Sequence, residues 1–380
     1  MTACPQWMAL DDLPGVEVVG YGVNRPGPVD AEGVPMLRAG DIVDGRVQAS
    51  EAVRVGHAVA DAHPRTRLRA GDLLVVLVGR IGEAAITGPA QEGWQVARSV
   101  ALVRCDDLDL ARWLRAWLAV PAARAWCEAR AAGSVQRTLG LKWLRQLPVA
   151  LPSVAERDRA LRVITAVESR IDVNDRIART SVELADAHFD VLTRDRSSWP
   201  VRTFGDIVRK SWTSTAARSP VPREEETWVA AADVLHNSLP HVGLDAEEQS
   251  CEAAGSVLLV PKDGQVHAAV GPGSVAVSRG VLVLQPEQAA DTWWLLHEIR
   301  SRSSELARLA QGTAGRELSV RAIGNTEVAK PPQGELAHFV ERASTLHARA
   351  LTATRESHTL RALLTGFLRT LEPADSSALG

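Results

Sequence analysis

The sequence predicts a mixed α/β chain with an internal pseudo-repeat: two α+β domains separated by two long antiparallel helices. Three observations predict it. Blocks of the first half return in the same order in the second, each half closes at a proline, and each closing proline is followed by a long run of apolar residues at helical spacing.

The repeat is read directly. VPMLRAGDIV from Val34 is echoed by TWVAAADVL from Thr227, and AGDLLVVLVGRIGEAAI from Ala70 by AGSVLLVPKDGQVHAAV from Ala254. VARSVALV from Val96 meets VSRGVLVL from Val277, with Arg98 opposite Arg279. GSVQRTLGLKWLRQLPVALP from Gly133 meets GTAGRELSVRAIGNTEVAKP from Gly312. In that pair Arg137, Leu139, Leu141, Leu144, Val149 and Pro152 fall opposite Arg316, Leu318, Val320, Ile323, Val328 and Pro331. The offset between copies drifts, as it does when loops differ in length.

Period assigns the elements. Leu73 to Val78, Val100 to Val103, Val257 to Val260 and Val281 to Leu284 are short apolar runs, rich in valine and punctuated by glycine, and read as buried strands. Leu108 to Arg130 and Thr292 to Leu309 carry Trp, Leu and Ala at helical spacing and read as helices. Pro152, Pro331 and Pro332 mark helix starts. After Pro152, apolar residues recur at Leu161, Ile164, Val167, Ile171, Ile177, Leu184, Val191 and Leu192, with no glycine or proline before Pro200. That is one helix of roughly 38 residues, about 57 Å long. A second run carries Leu336, Phe339, Val340, Ala343, Leu346, Leu360, Leu364 and Phe367 on one face. A long helix with a single apolar stripe needs a partner, and each supplies the other's. Packed antiparallel, they hold the globular halves apart. The stripe residues expected at this interface are Leu161, Ile164, Ile171, Asn174, Ile177, Leu184, Phe339, Leu346, Leu360 and Phe367. Asn174 either fixes register inside the stripe or turns to water at a wobble of the helix. The expected domain limits are 1–152, a first long helix 153–197, a second domain 198–331, a second long helix 332–372 and a flexible tail 373–380.

Composition excludes several classes. With 380 residues, 46% hydrophobic and 23% charged, the chain has material for two soluble domains. Net charge is −3, so any nucleic-acid surface must be a local patch. Cys4, Cys105, Cys127 and Cys251 share no metal-ligand or disulfide spacing, which fits reduced thiols in a cytoplasm. Met1 to Leu10 has neither a basic region nor an apolar run, and no stretch is long enough to span a bilayer, so a cytosolic protein is expected.

At these residues the sequence resembles the specificity subunit of Type I restriction–modification systems. GDLLVVLVGRIGEAAI, Gly71 to Ile86, with ARSVALVR, Ala97 to Arg104, is similar to the core strands of that family's target-recognition domains. Gly133 to Arg157 resembles the closing segment of such a domain and its entry into the conserved helix, and Ser169 to Phe189 that helix itself, with an Ile-x-x-Asn step at Ile171 and Asn174. Arg157 stands where the family usually has glutamine, and the second half matches only in outline. The resemblance implies two target-recognition domains reading a bipartite DNA sequence, one half-site each, across a spacer set by helix length. It also implies that two modification subunits dock on the chain, bringing S-adenosylmethionine and adenine methylation, while restriction subunits bring ATP- and Mg-dependent cleavage.

No chemistry of the chain's own is expected. An adenine methyltransferase needs an Asn/Asp-Pro-Pro-aromatic loop, and the nearest candidate, Lys330-Pro331-Pro332-Gln333, lacks the amide or acid and the ring. Gly20-Tyr21-Gly22 is followed by Arg25 where a nucleotide-binding turn needs glycine, and reads as a turn. No Gly-Lys-Ser/Thr exists, and His297-Glu298 is followed by Ser301 where a zinc-hydrolase helix needs histidine. The ten histidines read as scattered surface or core residues, and Trp113, Trp117, Trp126, Trp293 and Trp294 as core or interface anchors. No metal or cofactor is expected on this chain.

The DNA-binding candidates are Arg80, Arg98, Arg130, Arg137, Lys142 and Arg145 in the first half, and Lys262, Arg279, Arg316 and Arg321 in the second. Around Arg124 to Arg145 only Glu128 opposes the positive charge, which suits phosphate anchoring or, equally, a solvated helix face. Glu224 to Glu226, Glu247, Glu248 and Glu252 would repel phosphates if they faced them. They leave open a different reading, in which the chain is a non-catalytic protein–protein adaptor whose second half no longer reads DNA.

Overall fold

The computed structural model describes residues 6–49, 52–133, 136–213, 227–236, 239, 241, 255–271, 275–311 and 317–371. The chain forms two compact units, residues 1–169 with 360–380 and residues 170–359. The tail expected at 373–380 lies outside the described residues.

In the first unit, a four-stranded antiparallel sheet runs in the order Val16–Tyr21, Val100–Cys105, Leu73–Val76, Ala84–Ile86. Its side chains alternate between two cores. Leu73, Val75, Ala101 and Val103 face a core shared with helices, while Leu74, Val76, Val100 and Leu102 face a smaller one with Leu37, Ile42 and Val96. Strands buried on both faces lose the polar alternation, which is why they read as continuous apolar runs. Val34–Leu37 pairs in parallel with Gln95–Val96, and Gln6–Ala9 pairs antiparallel with Pro148–Leu151 to close the domain.

The second unit repeats this plan. Its sheet runs Val208–Thr213, Leu282–Pro286, Ser256–Lys262, Gln265–Gly271. Thr227–Val229 pairs in parallel with Val275–Val277, and Val201–Thr203 pairs antiparallel with Glu327–Ala329. Register agrees as well: Leu73 opposes Val103 in one copy, and Val257 opposes Leu284 in the other. The mixed α/β class and the pseudo-repeat are therefore present in the backbone.

Local expectations change in three places. The helix expected over Leu108 to Arg130 is two, Leu108–Ala119 and Pro121–Ala129. Val120 between them is extended, at φ −64° and ψ 130°, because the following proline disfavours the helical region there. The helix expected over Thr292 to Leu309 breaks at Arg302 into Thr292–Ser301 and Ser303–Ala307. The break frees the Ser303 hydroxyl to accept from Val266 N at 2.9 Å and tie the helix to the sheet. Gly20-Tyr21-Gly22 is no turn, since Gly20 and Tyr21 end a strand. At Gly22 the chain passes so close to its neighbour that a Cβ would lie 2.0 Å from the Val96 carbonyl oxygen.

The long helices are Val154–Leu192 and Gln333–Thr370. The first opens on Ser153, whose backbone N–H and hydroxyl donate to Glu156 at 3.2 and 2.7 Å. Within the second unit the two helices run antiparallel. Phe189 packs with Phe339, Ala178 and Val182 with Ala350 and Ala353, and Arg170 bonds both oxygens of Glu356 at 2.7 and 3.0 Å. In the first unit Leu161 and Ile164 share a core with Leu364, Phe367 and Leu368. Leu161, Ile164, Ile171, Asn174 and Phe339 are buried. Ile177, Leu346, Leu360 and Phe367 are half-buried. Leu184 departs from the expected stripe and is 46% exposed, with Ala185 in the buried position beside it. A seven-residue step from Ile177 drifts off the face of a 3.6-residue helix.

One buried ion pair anchors the first sheet. Arg104 grips Asp72 with two bonds, Nε to Oδ1 at 2.8 Å and Nη2 to Oδ2 at 2.7 Å, and Nη2 also donates to the Arg67 carbonyl. By register, Ser256 and Gln285 hold these places in the second copy, both buried and both uncharged. Asp72→Ala leaves a guanidinium buried alone and is expected to cost about 3–5 kcal/mol in chemical unfolding. The double change Asp72→Ser with Arg104→Gln is expected to recover most of that loss, and its failure to do so would show that the charge pair itself is required.

The second unit contains a polar chain of a different kind. His241 Nε2 lies 2.9 Å from His347 Nδ1, His347 Nε2 lies 2.9 Å from His297 Nε2, and His297 Nδ1 lies 2.7 Å from Asp186 Oδ1. Arg300 bonds the other Asp186 oxygen at 2.8 Å, and Trp293 stacks on His347 at 4.1 Å. One proton per ring satisfies the chain: His297 donates to Asp186, His347 donates to His297, and His241 donates to His347. The rings are held neutral. Burial, helped by the Arg300 charge, pushes His241 down to about 3, and burial also lowers His347 and His297. Burial alone would raise Asp186, but hydrogen bonds from His297 and Arg300 bring it down to about 2.

An unfolded chain takes up protons at these histidines below about pH 6.5, while the folded chain does not. Their stabilisation is therefore complete above pH 6.5 and is lost as pH falls towards the folded values. Each ring contributes a slope of up to about 1.4 kcal/mol per pH unit. The melting temperature of the full chain is expected to fall between pH 7 and pH 5, and His347→Gln to flatten that fall. An equally steep fall in the variant would remove the rings as its cause.

Candidate nucleic-acid interface

In the first unit the sequence candidates divide into groups that are held together and groups that are not. Thr138 bridges to both Val78 and Ala132, Leu139 N donates to the Leu77 carbonyl at 2.8 Å, and the Arg137 guanidinium donates to the Glu128 carbonyl. These bonds bring the loop 77–83, the helix Pro121–Ala129 and the helix Leu141–Arg145 to one edge of the domain. Arg130 sits there with its guanidinium 4.0 Å from the centre of the Trp126 ring and 5.8 Å from that of Trp143. The Lys142 ammonium lies 5.6 Å from the Trp143 ring. Arg137 and Lys142 are exposed, and the carbonyl that holds Arg137 orients its charge without cancelling it.

The remaining candidates are engaged differently. Arg80 turns inward, donating to the Glu83 carboxylate and to the carbonyls of Ala39 and Ile42, so it pins a neighbouring loop and its charge is matched. Arg145 donates to the Val19 carbonyl at 2.7 Å and lies 3.7 Å from Asp11. Arg98 is exposed, with Nη1 on Asn24 Oδ1 at 3.1 Å, and nothing described joins it to the edge cluster.

In the second unit Lys262 is exposed at a two-residue hairpin, where Asp263 and Gly264 take positive φ of 51° and 77°. The corresponding connection of the first copy is the longer loop carrying Arg80. Arg279 is exposed but paired with Glu317 at 2.7 Å. Arg321 is exposed on the short helix Val320–Gly324, the counterpart of Leu141–Arg145. Arg316 and the acidic residues Glu224 to Glu226, Glu247, Glu248 and Glu252 lie outside the described residues.

Two features escaped the sequence reading. Trp143, exposed among the cations, was hidden by the many core tryptophans. Its signal is the mismatch with Ala322 in the second copy. The histidine chain joins residues far apart in sequence, and no spacing announces it. Among the described residues, no group of three or more His, Cys, Asp or Glu is placed to hold a metal, and no helix is long and apolar enough to cross a membrane. Cys105 and Cys127 carry free thiols pushed up to about 12, chiefly by burial, and Cys4 and Cys251 lie outside the described residues.

No family model matches the chain. The specificity subunit of the Type I restriction enzyme EcoBI from Escherichia coli is 28% identical over 167 residues, 42% of this chain. The match spans only 35% of that subunit's own length. A solved structure, the S subunit of a Type I restriction–modification system from M. genitalium, covers 98% of this chain and 97% of its own, at a TM-score of 0.58 and 13% identity. The HsdS subunit from Thermoanaerobacter tengcongensis aligns over 96% of this chain at a TM-score of 0.35 and 14% identity, too distant to bear on the fold. In sequence over the matched part, and in fold over nearly its whole length, the chain resembles the specificity subunits of Type I restriction–modification systems.

Proposed function

We propose that the chain is the sequence-specific DNA-binding subunit of a Type I restriction–modification complex. Each recognition domain reads one half of a split target, and the long helices fix the spacing between halves. One observation carries the reading: the same sheet order, register and closing strand pair recur in two domains, each followed by a long helix. A duplicated reader suits a bipartite site. In this reading the chain performs no chemistry. Two adenine-methyltransferase subunits dock on it and carry S-adenosylmethionine, and restriction subunits carry ATP and Mg.

Expressed with its adenine methyltransferase, the full chain is expected to direct methylation to one split motif, read by methylation-sensitive sequencing of the host genome. Deleting the chain should erase that motif. A methylation pattern indifferent to the chain would refute the assignment.

The first-domain edge contributes the electrostatic part of binding. Lys142→Ala and Arg137→Ala are each expected to reduce the slope of log affinity against log salt by about 0.9 on duplex DNA. Arg80→Ala is expected to leave the slope unchanged and lower thermal stability instead, because its charge is already matched by Glu83. Equal slopes for all three variants would remove the edge from the interface.

The adaptor reading has one observation in its favour, the Arg279–Glu317 pair, which neutralises a cation expected to face DNA. Specificity unaltered by substituting Lys262, Arg279 and Arg316 together would favour it.

A further inference from the structure

The cationic edge of the first domain contains one side chain that neither the core nor the closing of the domain requires. Trp113 and Trp117, in the same domain, are buried, and their indole N–H groups donate to the carbonyls of Ala150 and Pro148 at 3.0 and 2.9 Å. Trp143 is different, at 39% exposed on the helix Leu141–Arg145. The second copy forms the equivalent helix, Val320–Gly324, with Ala322 at that place, its backbone N–H capped by Ser319. The ring is therefore not demanded by the helix it sits on. An exposed indole with an arginine at 5.8 Å and a lysine at 5.6 Å combines an apolar face with two charges. The DNA backbone offers the complement, apolar deoxyribose faces alternating with phosphates. Arg137 is exposed at the same edge, its guanidinium held by the Glu128 carbonyl.

We propose that Trp143 is a DNA-contacting residue of the first domain, laying its indole face on the deoxyribose of the duplex while Lys142 and Arg130 hold the flanking phosphates. The inference rests on the DNA reading above and adds to it that the two domains grip DNA unequally, since the second has no ring at this place. The contact is independent of sequence and positions the domain, leaving base readout to other groups.

The test is titration of the full chain into a fluorescein-labelled duplex of random sequence at several salt concentrations. Trp143→Ala is expected to weaken binding at least about fivefold at every salt concentration, the scale of a lost aromatic contact, with the salt slope unchanged. Trp143→Phe is expected to keep most of the affinity. It preserves the fold if the alanine variant melts early. Parent-like affinity in Trp143→Ala, or a slope reduced by about one, would overturn the proposal, the second outcome assigning the loss to displaced cations. Parent chain that fails to bind the duplex at low salt would instead overturn the DNA reading itself, and this contact with it.

Discussion

Central strands that are apolar on both faces must be covered twice, and the rest of the architecture follows from that constraint. One face is covered within the domain by small strand pairs around Leu37, Ile42 and Val96, or around Val229, Val275 and Val277. The other face is covered by the domain's own helices together with the long ones. Leu161, Ile164 and Leu368 belong to the first core, and Phe189, Leu336, Phe339 and Ala343 to the second. Each long helix therefore begins in one unit and ends in the other, and the compact units divide within the helices rather than at their ends. The helices are parts of both cores. A substitution at Leu161 or Phe339 is felt as a core mutation as well as a helix-pairing one.

Buried polar groups show what the duplication kept and what it changed. The place of Asp72 and Arg104 passes to Ser256 and Gln285 without disturbing sheet order, so the second copy keeps buried polar side chains there without the ion pair. The second unit concentrates its polar burial elsewhere, in the histidine chain ending on Asp186. That chain draws one member from each long helix, Asp186 and His347, and one from the domain helix, His297. Its directionality leaves no spare proton, so it specifies one arrangement of three elements where apolar packing alone tolerates sliding.

Elements defined by local pattern were legible, and those defined by partnership were not. Leu73, Val100, Val257 and Leu282 announced strands because they lie in short runs of β-branched and other apolar residues. The two long helices announced themselves by unbroken period. The break at Val120 was written in Pro121 and was overridden by the tryptophan spacing around it. The break at Arg302 has no such mark, because it is made by Ser303 bonding to a strand almost forty residues earlier. Leu184 followed a seven-residue rhythm that the helix does not keep. In the site, residue type pointed to Arg80 and to Lys142 alike. Only the surroundings separate them, since Arg80 meets Glu83 and Lys142 meets the Trp143 ring.

That separation is a general means of sorting surface cations. A guanidinium matched by a carboxylate, as in Arg80–Glu83 and Arg279–Glu317, offers a phosphate no net charge unless the pair first opens. A guanidinium held by a carbonyl, as Arg137 is by Glu128, keeps its charge and loses its freedom. It enters a contact with part of the ordering entropy already spent. Arg137 at the edge of the first domain is of this second kind, while Arg279 in the second domain is of the first. The two halves of one repeat thus keep a common backbone and differ in how their surface charge is held.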